Sequence, residues 1–361
     1  MRRAQRSATR SCRAPSARIA LMAGSPEGSV LAAIRGYTSD TLGCSPYRIT
    51  AVSQFEDGNR HAVFKVSYMD ASGTTRDLVV RVSHGCDPLD RAEAEREAKM
   101  LKKVGGFAAP LLYDFRLMSP WFDRPTTCMQ FVPGQARDLS SATPEELERL
   151  GSVVRWIHER PTDDLEPSIA RGIASYAEGR REEVLSRLTW VRDPLPGPVQ
   201  VRLSAAAEFV GNMRTIEEAD SFGPGETLAL LHGDIGPGNI LWGPNPVLID
   251  WEYSRLGDPA DEIAYLFDQN DLAALPCEAF WRGYTESLSH QQVLAHIANR
   301  VAWWEPITLL GSILWWVERW VRRTEADAAG RPDRAAPREQ AYYFGQFIRR
   351  LNRFEERSTR Y

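Results

Sequence analysis

The pair Pro133-Gly134 divides this chain into two stretches whose residue patterns demand different folding. Before it, short runs alternate apolar and polar residues: Arg48–Val52, His61–Tyr68 and Asp77–Val82, the last two joined at Ser72-Gly73. Ala109–Asp114 and Thr127–Val132 extend the same pattern, which is that of half-buried strands. After it the apolar spacing becomes helical. Thr143-Pro144-Glu145-Glu146 offers an N-cap, a first-turn proline and a capping-box glutamate, and Leu147, Leu150, Val154 and Ile157 follow on one face. Two further helices are predicted, one over Asp87–Val104 ending at Gly105-Gly106, and one starting at Pro306 and running through Ile307–Val321. Strands first and helices afterwards, in a chain of 361 residues, predict an α+β architecture of two lobes. The first is a small antiparallel sheet and the second is larger and mainly helical.

The expected boundaries are residues 28–134 for the sheet lobe and 135–325 for the helical lobe, with 326–361 forming a linker and a last helix. Residues 1–27 are expected to be a disordered basic tail. They are rich in Arg, Ser and Ala and have no acid before Glu27, a composition shared with transit peptides and with a start placed ahead of Met22. A net charge of −4 argues against general nucleic-acid or membrane-surface binding. No apolar run reaches eighteen residues, and the five cysteines are scattered without a C-x-x-C pair. Reduced thiols of a cytoplasmic protein fit this pattern better than disulfides or a zinc site.

The chemistry is concentrated between Leu230 and Leu266. His232-Gly233-Asp234 is followed by Asn239, and Val247–Ile249 reads as a strand delivering Asp250 at its end. An Asp, an Asn and a second Asp on neighbouring loops supply one base and two oxygen ligands of the kind that Mg²⁺ takes. Transfer of a phosphoryl group to a hydroxyl needs that inventory. In the sheet lobe, the tip Phe55–Arg60 carries Gly58-Asn59, whose backbone amides can approach a phosphate, as an ordinary turn also can. Arg81, a cation inside an apolar strand, needs either a solvated face or an anionic partner. Glu97 is the carboxylate assigned to it, against the alternative that the acids of that helix lie on a solvated face. The pair Trp315-Trp316 and its neighbours Trp303, Trp304 and Trp320 predict core packing. A cation site beside Glu305 or Glu318 is the other reading.

These phrases resemble the aminoglycoside phosphotransferase and choline kinase superfamily, relatives of the protein kinases. H-G-D-x-x-x-x-N is met by His232, Gly233, Asp234 and Asn239; the strand ending in Asp by Asp250; and G-D-P by Gly257, Asp258 and Pro259. Glu262 stands where many members have Asp. H-R-D, D-F-G and A-P-E phrases are missing, which separates the chain from protein kinases. The resemblance implies a protein-kinase-like two-lobe fold and ATP with Mg²⁺ as cofactors. It implies Asp234 as catalytic base, Asn239 and Asp250 as metal ligands, and Arg81, Glu97, Gly58 and Asn59 around the nucleotide. Many members have Lys where Arg81 stands. The implied reaction phosphorylates a hydroxyl of a small, cationic molecule: an aminoglycoside-like antibiotic, a choline-like amino alcohol or a sugar. Asp261, Glu262, Asp268 and Asp271 would supply a negative pocket for an amine. The competing reading is a non-catalytic nucleotide-binding regulator on the same fold.

Overall fold

In the computed structural model, the structure describes residues 27–55, 61–165, 172–191, 195–219, 227–270, 274–286, 291–328 and 338–358. The chain divides into two compact units, Met1–Glu95 with Leu112–Phe131, and Arg96–Leu111 with Val132–Tyr361.

In the first unit, helix α1 (Glu27–Leu42) precedes strands β1 (Ile49–Gln54), β2 (His61–Met69) and β3 (Thr75–Ser83). Helix α2 (Pro88–Val104) begins in this unit and ends in the other, and β4 (Leu112–Arg116) and β5 (Thr126–Gln130) return to it. The strands form one antiparallel sheet in the order β1-β2-β3-β5-β4. Alternation decides which face is dry. Leu78, Val80 and Val82 point to a core with Phe64, Val66, Cys128 and, from α1, Ile34 and Tyr37. Arg81 therefore lies on the other face of β3, paired in register with Val63 and Thr127.

The second unit opens with the end of α2, β6 (Gln135–Ala136) and helix α3 (Pro144–His158). The Thr143 side chain accepts from the Glu146 amide at 3.3 Å, and Glu146 returns the bond to the Thr143 amide at 2.8 Å. Helices α4 (Ile173–Ser186), α5 (Leu188–Val191), α6 (Gly197–Gly211) and α7 (Ile216–Ala219) follow. The short strands β7 (Ala229–Leu231), β8 (Ile240–Trp242), β9 (Val247–Leu248) and β10 (Arg255–Gly257) precede helices α8 (Pro259–Gln269), α9 (Ala274–Thr285), α10 (Gln291–Ala328) and α11 (Gln340–Ser358). Helices α3 and α9 approach so closely that a Cβ at Gly283 would lie 1.7 Å from the Glu148 carbonyl oxygen. Among the described residues no helix is long and apolar enough to cross a membrane.

Two expectations about this unit need correction. Pro306 does not start a helix but lies inside α10, which begins at Gln291. A proline there forfeits one helical hydrogen bond, at a cost of about 3 kcal/mol. Burial of Trp303, Trp304, Ile307, Leu309 and Leu310 around it offsets that cost. Residues 326–328, read as linker, belong to the same helix.

Candidate active site

The convergence of the two chemical phrases follows from strand pairing. β7 and β10 pair antiparallel with Leu231 opposite Arg255, while β8 and β9 pair with Ile240 opposite Leu248. The segment from His232 to Asn239 and the segment from Ile249 to Ser254 are thus clamped at both ends by the same short ladders. The Ile249 amide also donates to the Asn239 carbonyl at 3.0 Å.

His232 joins the segments from inside. It is fully buried, its Nε2 meets the Ile249 carbonyl at 2.9 Å, and its Nδ1 accepts from the Asp234 amide at 3.2 Å. A carbonyl only accepts, so Nε2 carries the proton and both ring nitrogens are spent on loop geometry. Gly233 has φ 87°, and a Cβ there would sit 2.3 Å from the Tyr253 carbonyl oxygen, so only glycine fits. Its amide donates to Glu262 Oε1 at 2.6 Å, and Glu262 Oε2 in turn meets His158 Nε2 at 2.9 Å. His158 Nδ1 reaches the Tyr284 hydroxyl at 2.8 Å. A chain of buried polar groups from α3, α8 and α9 therefore ends on the backbone one residue before Asp234.

Asp234 is held at both carboxylate oxygens. Asn239 Nδ2 donates to its Oδ2 and to its carbonyl, both at 2.9 Å, and the Tyr265 hydroxyl of α8 donates to Oδ1. Burial raises the Asp234 carboxyl above its ordinary value; the charge of Asp250 adds to the rise, and the bonds from Tyr265 and Asn239 oppose it. Asp250 adopts the left-handed conformation, φ 67° and ψ 66°, as the residue before a short 3₁₀ turn that its side chain does not cap. A residue other than glycine held there costs on the order of 1–2 kcal/mol. Trp251 anchors the turn from behind, donating to the Leu248 carbonyl at 3.0 Å and packing edge-on against His232 at 4.6 Å.

Among the described residues, the acids that follow this turn are committed to partners within the protein instead of forming an anionic pocket. Asp258 is fully buried, caps α8 through the Ala260 amide at 3.0 Å, and receives Arg300 at 3.1 Å and Trp304 at 2.8 Å. Asp261 accepts from Tyr176 at 2.5 Å and Arg255 at 3.0 Å. Burial alone would raise its carboxyl, but the Arg255 and Arg180 charges outweigh that and hold it below the usual range. Glu262 is committed as described, and Asp268 lies 3.6 Å from Arg353. Asp271 lies outside the described residues. These carboxylates brace the fold, so a solvated helix start describes them no better than an amine pocket does.

Of the residues expected around the nucleotide, Arg81 lies on β3 in the first unit, and Glu97 lies on the part of α2 that belongs to the second. Glu97 is 4% exposed, so it does not belong to the solvated face that the other acids of that helix suggested. Gly58 and Asn59 lie outside the described residues. Tyr265, which touches the central carboxylate, was not anticipated. Its only trace in the sequence is a hydroxyl in the apolar run Ile263–Phe267.

Residues 51–290 match the phosphotransferase enzyme family over well more than half of the chain. The chain belongs to this family. Among solved structures, the choline kinase of Cryptosporidium parvum Iowa II superposes with a TM-score of 0.60 at 14% identity, covering 91% of this chain and 95% of that one. The ethanolamine kinase of Plasmodium vivax gives 0.59 at 12% identity over 88% and 85%. A spectinomycin phosphotransferase in complex with ADP and spectinomycin gives 0.52 at 13% identity over 83% and 89%. At these identities the likeness establishes the kinase-like α+β fold. One curated relative, acyl-CoA dehydrogenase family member 10 of Mus musculus, is 24% identical over 247 residues, or 64% of this chain. The chain spans only 22% of that relative's length.

Proposed function

We propose that this phosphotransferase uses ATP to phosphorylate a hydroxyl of a small molecule, with Asp234 as its general base. The observation that carries the reading is the Asp234 carboxylate itself, fixed at both oxygens and raised in basicity by burial. In the step we infer, the acceptor oxygen attacks the γ-phosphorus and its proton passes to the free lone pair of Asp234. The bond between the γ-phosphorus and the β,γ-bridging oxygen breaks, and ADP leaves with that electron pair. Asn239 and Tyr265 fix the direction of the carboxylate, and His232 holds the backbone that carries it.

The residues present fit a magnesium ion. Asn239 spends its amide nitrogen on Asp234, which leaves its Oδ1 as an acceptor, and the Asp250 charge acts on Asp234 across the gap between the two segments. Two such oxygens, with phosphate and water completing the shell, are what Mg²⁺ takes from a protein. Bound there by Asn239 and Asp250, it would neutralise charge on the phosphates. On the nucleotide side, Arg81 and Glu97 are proposed as the phosphate-contacting cation and its carboxylate partner. An arginine at this position presents a planar fork instead of a point charge.

The test is Asp234→Asn. Nucleotide binding by calorimetry is expected to persist, while turnover with a hydroxyl acceptor that the wild-type chain phosphorylates falls by about 10²–10⁴-fold. Equal turnover by the variant would sink the assignment of the base. The reading as a nucleotide-binding regulator gains only if the wild-type chain binds ATP and transfers nothing to a broad panel of amino alcohols, sugars and hydroxy acids.

A further inference from the structure

The Asp234 loop is gripped at three successive residues from one helix. Glu262 of α8 accepts from the Gly233 amide at 2.6 Å, and Tyr265 donates to the Asp234 carboxylate. Asn270, the residue that caps the C-terminal end of α8, donates to the Ile235 carbonyl at 3.1 Å and to the Leu266 carbonyl of its own helix at 2.7 Å. An amide, a side chain and a carbonyl in a row are thus tied to α8, so the aim of the carboxylate depends on how that helix and its side chains are held.

The Glu262 tie continues beyond α8. Its side chain is fully buried, and its second oxygen meets His158 Nε2 of α3 at 2.9 Å. A carboxylate only accepts, so His158 donates. His158 Nδ1 meets the Tyr284 hydroxyl of α9 at 2.8 Å, and the two rings stand edge to face at 5.6 Å. The helices that carry this pair are locked backbone to backbone. A Cβ at Gly151 would lie 2.1 Å from the Phe280 carbonyl oxygen, and Ser152 Oγ donates to the Gly283 carbonyl at 3.2 Å. Helices packed this closely hold one relative position, and they hold His158 and Tyr284 with it. A buried carboxylate that lost the His158 bond would keep an unsatisfied oxygen, and would turn toward any other donor at the expense of the Gly233 amide.

We propose that His158 is a positioning residue for phosphotransfer: through Glu262 it fixes the Gly233 amide and so the aim of Asp234, and Tyr284 fixes the His158 ring in turn. This rests on the phosphotransfer reading above and adds the α3–α9 pair to the parts that direct the base. A residue that acts on the aim of a base governs the chemical step more than the binding of nucleotide or acceptor.

The experiment follows ADP release from MgATP by the full chain with ethanolamine, glucose, gluconate and kanamycin as acceptors. The same samples give amide hydrogen exchange over residues 230–242, and urea unfolding identifies the variants that are folded. His158→Leu is expected to lower kcat about tenfold or more while KM for ATP and acceptor stays within about twofold, and to quicken exchange in that stretch. His158→Gln, whose side-chain N–H stands as many bonds from Cβ as Nε2 does, is expected to recover most of both. Tyr284→Phe should act in the same direction by less. In the Asp234→Asn background, His158→Leu should lower the residual turnover no further, a coupling that a general loss of stability does not produce. Unchanged kcat and exchange, no recovery by His158→Gln, or full additivity with Asp234→Asn overturns the positioning role and leaves phosphotransfer standing. If His158→Leu does not fold, Tyr284→Phe carries the test, and unchanged exchange or full additivity refutes it there. Exchange that quickens and is recovered, with no ADP released by the wild type with any acceptor, supports the tie to the loop and counts against the phosphotransfer reading.

Discussion

Replacing Tyr265 with Phe removes one hydroxyl and leaves the packing of α8 in place, so its effect can be worked from the contacts of Asp234. The Asp234 carboxyl is pushed up by burial first and by Asp250 next, and the Tyr265 and Asn239 bonds pull it down. A hydrogen bond to a charged group contributes roughly 1.5–3 kcal/mol, and one pKa unit corresponds to about 1.4 kcal/mol. Asn239 remains at 2.9 Å in the variant, so the lower figure applies: Tyr265→Phe should raise the carboxyl by about one unit. A base must be ionised to act. The acid limb of the kcat/KM profile, which reports the free enzyme, should therefore move to higher pH by about one unit.

Stability gives an independent check with its own sign. A carboxyl raised in the folded state binds its proton more tightly there than in the unfolded chain. Its contribution to stability is therefore greatest below the ordinary Asp value and declines as pH rises from that value through the folded one. Tyr265 offsets part of that decline, so the variant should lose about 1.5 kcal/mol at neutral pH and less in acid. Urea unfolding at two pH values and a kcat/KM profile measure the two effects. An acid limb that stays in place or moves down, or a destabilisation as large in acid as at neutral pH, would refute the reasoning. So would additivity of Tyr265→Phe with Asp234→Asn, because the two side chains act on one bond.

Further outcomes follow from the ties around the site. Asp258→Ala leaves the buried Arg300 cation without its carboxylate and should cost about 3–5 kcal/mol in urea unfolding. Joint replacement Asp258→Leu with Arg300→Met should recover most of that loss. Gly233→Ala places a Cβ against the Tyr253 carbonyl at positive φ and should destabilise by at least about 2 kcal/mol, with turnover reduced at temperatures where the chain is still folded. Asp250→Asn should weaken nucleotide affinity on the order of tenfold in Mg²⁺ and leave it nearly unaltered in EDTA, measured by calorimetry.

What the sequence discloses about this fold is its short-range physics. The capping box at Thr143 and the alternation of β3 are each written within a few residues, and each is found where its pattern puts it; Asn239, five positions after Asp234, donates to that carboxylate. Partnerships across long separations are not legible in the same way. His158 and Glu262 meet across 104 positions, Tyr176 and Asp261 across 85, and no local pattern distinguishes those carboxylates from surface acids. Pro306 misleads for the same reason: its local preference for a helix start is overridden by the core on both sides of it. Tyr265 reads as one more apolar position until the turn of α8 brings its hydroxyl to Asp234.

The fate of the acids also bears on why Asp234, among the described carboxylates of this stretch, is the one proposed as the base. Asp258, Asp261 and Glu262 lie within five consecutive positions, and each is buried against a cation, a histidine or a backbone amide. Had they faced the acceptor, their charges would have pushed the Asp234 carboxyl still higher and drawn amines toward it. Committed instead to Arg300, Arg255 and His158, they hold the two loops in register and contribute little field on the acceptor side.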